Sequence, residues 1–298
     1  MYQKKQLKEL TIKDNFLFGA VMMEEEICRG FLERVLGFSI AQVEVCREKS
    51  IVYHPEYRGI RLDVYAKDEK NTHYNIEMQV VKKPELGRRV RYYHGQIDME
   101  LLLSGRDYTE LPDTYVIFIC DFDPFGEKKY CYTFENHCQE VPGLGLGEGS
   151  RSIFLSTMGE NDEEVSKELV RILRFVKADL EESERDFEDE FICHIQETIR
   201  RIKGSRKMEE RFMILEEMLR DERAEGKAEG IAEGKAEGIA EGKVKGKAEA
   251  VLELLEDLGT VPEAVQNRIM NEKDPELLKK WHRLSARADT LDEFLKEM

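Results

Sequence analysis

Polar and apolar positions alternate with a period of two between Ile60 and Val80. Leu62, Val64 and Ala66 interleave with Arg61, Asp63 and Tyr65, and after a polar interval Tyr74, Ile76, Met78 and Val80 interleave with Asn75, Glu77 and Gln79. A strand turns successive side chains to opposite faces, so this pattern predicts a β-hairpin. A turn at Glu69-Lys70-Asn71, closed by Asp68 and Thr72, sets Asp63 directly opposite Glu77 and puts Asp63, Glu77 and Gln79 on one face.

The same reading predicts the elements on either side. Asp14 caps a helix whose apolar residues begin at Phe16, and after Glu24-Glu25-Glu26 the spacing of Ile27, Phe31, Leu32, Val35 and Leu36 is helical up to Gly37. Val43 to Val45 and Ile51 to Tyr53 read as a strand interrupted near Arg47, followed by a loop from His54 to Gly59. Beyond the hairpin, a helix running to about Ser104 carries Val90, Ile97, Leu101 and Leu102 as its apolar stripe. Thr114 to Cys120 is a continuous apolar run of strand length, as expected for a buried central strand. Tyr130 to Phe134 and Ile153 to Leu155 predict two shorter strands, and residues 162–178 and 188–219 have helical periodicity. A mixed α/β (α+β) fold follows.

From Ala224 the pattern becomes a four-residue repeat with glycine at 226, 230, 234, 238, 242 and 246. Each glycine costs about 0.8–1.0 kcal/mol relative to alanine inside a helix. Glutamates recur at i,i+4 and opposite charges fall two apart, where they do not face each other. The expectation is a frayed helix or flexible spacer, with pairing through the small residues as the alternative. After it, a small helical unit is predicted, with helices over Lys247–Leu258, from Pro262 and from Asp274. The expected organisation is a first domain over 1–158, a helical extension over 159–223, a spacer over 224–247 and the C-terminal unit over 248–298.

Composition adjusts this picture in three ways. The formal charge of −16 on 298 residues argues against bulk electrostatic coating of nucleic acid, yet residues 179–190 alone hold eight acids and one arginine, which leaves room for a local basic patch. Six cysteines without CxxC or Cys/His zinc spacing predict reduced, mostly buried thiols. The N-terminal MYQKKQLKEL lacks an apolar core and no run of about 18 apolar residues occurs, so no membrane span is expected and a cytoplasmic location is.

Two carboxylates on neighbouring strands have Cβ atoms about 4.5–5.5 Å apart and repel unless a cation sits between them. Hard cations such as Mg²⁺ take such oxygen ligands together with substrate phosphates. Lys82, Lys83, Arg88, Arg89 and Arg91 follow at once, a phosphate-binding signal. The plain alternative is a half-exposed sheet with polar side chains next to a solvated basic helix end.

The order of elements resembles the αβββαβ core of the PD-(D/E)xK restriction-endonuclease-like superfamily, with a helical C-terminal extension. More narrowly, the chain resembles the transposase-like recombination-promoting nucleases, the Rpn family. The likeness rests on Asp14-Asn15-Phe16 with Phe18 to Met22, Arg61 to Tyr65, Ile76-Glu77-Met78-Gln79, Arg91-Tyr92-Tyr93, Tyr115 to Cys120 with Phe122 to Phe125, and the glycine/glutamate repeat. It implies Mg²⁺-dependent cleavage of DNA, with Mn²⁺ as a substitute ion and Asp63 and Glu77 as metal ligands. Gln79 stands where the superfamily has lysine; it can orient water but cannot carry charge. Gln96, within a turn of Tyr92 and Tyr93, is a candidate phosphate or water contact alongside Tyr93 and the cations. Glu33 or one of Glu24 to Glu26 is a candidate third acid. A second function stands beside this one: a nucleic-acid-binding protein without turnover, self-associating through the C-terminal helical region.

Overall fold

The computed structural model describes residues 5–51 and 59–298. The chain divides into two compact units, residues 1–213 and 214–298. No helix among the described residues is long and apolar enough to cross a membrane.

In the first unit, helices α1 (Asn15–Met22) and α2 (Glu25–Leu36) precede strands β1 (Val43–Ile51), β2 (Ile60–Asp68) and β3 (His73–Gln79). Helix α3 (Leu86–Leu101) and strands β4 (Thr114–Cys120), β5 (Cys131–Phe134) and β6 (Ser150–Ser156) follow, then α4 (Lys167–Lys177) and α5 (Glu190–Lys203). The described strands form one mixed sheet in the order β1-β2-β3-β4-β6-β5. β1 to β3 are antiparallel neighbours, whereas β3, β4 and β6 run parallel, so a crossover is needed between β3 and β4. α3 is that crossover. It covers the face that carries Tyr65, Val116, Phe118 and Phe154. Val64, Ala66, Ile76 and Ile117, of opposite parity, are equally buried, and α1 contacts β1 and β2. A strand covered on both faces must be apolar throughout, which is why TYVIFIC does not alternate.

β1 is continuous as far as Ile51, and the predicted continuation to Tyr53 and most of the loop after it lie outside the described residues. Asp14 stands at the start of α1, but its carboxylate turns back to accept from the Thr11 amide (2.8 Å) and pair with Lys5 (2.8 Å). Gly37 ends α2 with φ 76°, a conformation that favours glycine. All six cysteines are free, and only Cys28 and Cys120 are fully buried, fewer than expected.

Helix α6 runs from Arg206 to Glu256 and includes the whole repeat. No atom outside the helix's own neighbouring backbone lies within 4 Å of a Cβ position at any repeat glycine. In the second unit the end of α6 packs with α7 (Glu263–Met270), α8 (Pro275–Ser285) and α9 (Leu291–Glu297) around Val251, Leu255, Ile269, Leu278, Trp281 and Phe294. α9 adds a helix that the periodicity did not announce.

Candidate active site

The turn between β2 and β3 is built by one side chain. Asp68 Oδ1 accepts from the amides of Lys70 (2.9 Å) and Thr72 (2.8 Å), its Oδ2 accepts from the Tyr74 hydroxyl (2.8 Å), and Asn71 takes φ 65°. That turn fixes the register Val64↔Ile76 through Lys67↔His73. One step further along, Asp63 meets Glu77: the Asp63 amide donates to Glu77 Oε1 (3.2 Å), and the Met78 amide donates to Asp63 Oδ2 (3.4 Å). The two acids therefore converge, with Glu77 only 1% exposed.

The like charges are not left facing each other alone, as the sequence had suggested. Arg89 of α3 reaches down to the sheet and pairs with Glu77 Oε2 at 2.7 Å. Its second terminal nitrogen donates to Gln79 Oε1 (2.9 Å), and its Nε donates to the Tyr93 hydroxyl (2.7 Å). The guanidinium also lies over the rings of Tyr93 and Phe118, 5.0 and 5.2 Å from their centroids. Gln79 is committed at both ends, because its amide nitrogen donates to the Val81 carbonyl (2.6 Å). Burial first, and the Asp63 carboxylate second, push the Glu77 carboxyl well above its usual range, while Arg89 opposes the shift. Burial, then Glu77, also raises the Tyr93 hydroxyl, which therefore keeps its proton near neutral pH.

Arg89 and Tyr93 also line a cleft of about 430 Å³ whose wall includes Arg61, Lys83, Arg88 and Tyr92, with Glu85 as its one acid. Among the predicted phosphate contacts, Lys83, Arg88 and Arg89 thus come together. Lys82 instead donates to the Asp123 carbonyl (3.0 Å), and Arg91 is exposed outside the cleft lining. Tyr93 and Gln96 are buried, at 6% and 7% exposed, and the buried Gln96 Oε1 has no hydrogen-bond partner.

Asn75 escaped the sequence reading. It shares the strand face of Glu77, is fully buried, and its side-chain amide lies against the Glu77 carboxyl, where it favours the ionised form. Its only signal was a polar residue at a strand position where both faces are covered. Glu33, a candidate third acid, accepts from the Ile40 amide (2.8 Å), and Glu24 pairs with Arg201 (3.2 Å). No group of three or more His, Cys, Asp or Glu side chains suited to a metal ion occurs among the described residues. His94 bridges Thr114 (3.0 Å) and Ser152 (3.1 Å), and His73 contacts the Tyr65 hydroxyl (2.6 Å); both are core residues.

The sequence profile of the PD-(D/E)XK nuclease family transposases matches residues 15–228, well over half of the chain. The chain belongs to that family. No curated protein and no solved structure gives a match. Nucleases of this kind generally use divalent metals. The donor set here fits a hard cation: two carboxylates suffice when water and phosphate oxygens complete the shell, and a desolvated carboxylate such as Glu77 calls for a positive neighbour.

Proposed function

We propose that the chain is a DNA endonuclease that hydrolyses phosphodiester bonds with Mg²⁺, or Mn²⁺ in its place, held by Asp63 and Glu77. The observation that carries this reading is the convergence of those two acids beside a cleft bearing Arg61, Lys83, Arg88 and Arg89. When bound, the ion would lower the pKa of water and offset charge developing on the phosphate. The chain's own residues do the rest. Arg61, Lys83 and Arg88 hold the phosphodiester in the cleft, and Arg91 and Lys82 contribute positive charge near the helix start. Arg89 orients Glu77 and favours its ionised form against burial and the Asp63 carboxylate. Tyr93 acts through Arg89 by accepting its Nε proton in a hydrogen bond. Gln79, bonded at both ends, positions Arg89 and the strand end in place of the superfamily's lysine. Gln96 offers a carbonyl with no protein partner, suited to an ordered water.

Nicking of supercoiled plasmid with Mg²⁺ or Mn²⁺ tests the proposal. Wild type should nick and Asp63→Asn should not, while both bind the plasmid. Absence of nicking by pure wild type with either ion would end it in favour of the second reading, a DNA-binding protein without turnover. One observation favours that second reading: Arg89 already satisfies Glu77 Oε2. Self-association through the C-terminal helical region is supported by Ile231 and Ile239, which are 60% and 50% exposed on α6. Light scattering on Ile231→Glu/Ile239→Glu checks it, and a mass identical to wild type would remove it.

A further inference from the structure

The second unit carries a groove whose charge runs against the composition of the chain. About 670 Å³ in volume, it lies between the end of α6 and α8 and is lined by Lys243, Lys247, Lys279, His282 and Arg283, with no acidic residue in its wall. Val244, Ala240, Ala250 and Pro275 make its floor. A second hollow of about 310 Å³ shares Lys279 and Arg283 and adds Lys280 and Arg287; Glu276, its one acid, pairs with Lys279 at 3.4 Å. Residues 277–288 contain four Lys/Arg and no Asp or Glu in a chain of net charge −16. Segregation on that scale is not what a merely solvated helix face requires.

We propose that this groove binds the phosphate backbone of double-stranded DNA, as a second contact separate from the candidate active site. Lys243 and Lys247 stand one turn apart on α6, and Lys279 and Arg283 stand one turn apart on α8. Each pair is thus spaced about 6 Å along its helix axis, close to two base-pair rises of about 3.4 Å along the DNA axis. The wall offers no Phe, Tyr or Trp face on which a run of unpaired bases could stack, since Trp281 is 1% exposed in the core below and His282 is the one ring in the lining. Nor does it hold an Asn or Gln to read an adenine edge, and its cations are the groups that pair with phosphate oxygens. Lys247 already donates to the Pro275 carbonyl (3.0 Å), which draws the α8 start toward α6 and fixes one wall.

The choice of DNA as occupant rests on the proposed endonuclease reading, and the test separates the two. Binding of a 30-base-pair duplex to the full chain is measured by fluorescence anisotropy across a salt series. The parent is Asp63→Asn, which cannot cleave. Lys279→Gln/Arg283→Gln and Lys243→Gln/Lys247→Gln should each weaken binding about tenfold and reduce the slope of log K against log [NaCl] by about 2, while Lys279→Arg/Arg283→Lys retains parent affinity. Circular dichroism confirms that each variant keeps its helices. Affinity and slope within twofold of the parent for both charge-removing pairs would overturn the groove proposal, even if wild type cleaves plasmid. So would duplex binding that is unchanged while binding of a peptide spanning residues 179–190 is lost. Weakened binding combined with no cleavage by wild type would support the groove and sink the endonuclease instead.

Discussion

The cations around Arg89 and those of the C-terminal groove carry the same charge in opposite physical states. Arg89 has a named partner for each of its three nitrogens and two aromatic faces beside it, and its side chain is 27% exposed. Lys243, Lys279, His282 and Arg283 lie on an exposed wall with water as their main neighbour. Fixed charge suits a reacting centre, where a group must not reorganise as the reaction proceeds. Hydrated, mobile charge suits long-range attraction of a polyanion, where counterions are released and geometry matters little. One chain keeps the two kinds of charge in separate units.

The comparison can be tested from its strongest point downward. If Glu77 holds the ion as proposed, Glu77→Gln should reduce nicking of plasmid at least about 100-fold, because it removes a carboxylate ligand and leaves Arg89 with a neutral partner. Arg89→Met should leave Glu77 buried without its cation and cost about 2–4 kcal/mol of stability above pH 8, read from urea midpoints. The Glu77 carboxyl is pushed up to about 8 in the folded chain, so its proton is gained more readily there than in the unfolded chain. The loss in Arg89→Met should therefore shrink as pH falls through about 8, where Glu77 becomes neutral with or without Arg89. A deficit independent of pH would mean that Arg89 does not act through Glu77.

His94 gives a smaller, separately placed signal. Burial holds it down at about 4, against a model-peptide value of 6.5. The unfolded chain thus takes the proton first, and stability present above pH 6.5 should drain away between there and pH 4 by about 1–3 kcal/mol. His94→Gln should flatten that slope. At the weak end, Lys128 and Glu160 pair at 2.9 Å with both side chains about two-thirds exposed. Lys128→Ala should change the stability read from urea unfolding by no more than about 0.5 kcal/mol. An effect as large as that of Arg89→Met would erase the contrast between fixed and hydrated charge.

The hairpin was legible because its information is local: strict alternation, a turn aspartate and a residue with positive φ together specify the register that brings Asp63 to Glu77. The buried parallel strands were legible from their unbroken apolar runs. The Arg89–Glu77–Gln79–Tyr93 network was not, because it joins a strand to a crossover helix and no periodicity says which of five neighbouring cations points inward. Asn75 was hidden for the same reason. Glycine propensity argues against helix in the repeat, but its flanks at Arg206–Leu219 and Lys247–Glu256 are strongly helical and the intervening residues continue them. The split between α5 and α6 at Gly204-Ser205 fell inside one periodic stretch, since a single-turn break barely disturbs the apolar phase.

Helix α6 carries its glycines every fourth residue, but the backbone completes a turn in about 3.6. Each successive glycine is therefore displaced by about 40°, and from Gly226 to Gly246 the line winds through about 200° over some 30 Å. A straight rod laid alongside would touch two or three of these bare patches before losing them around the back, so a companion that follows the entire line has to coil with it.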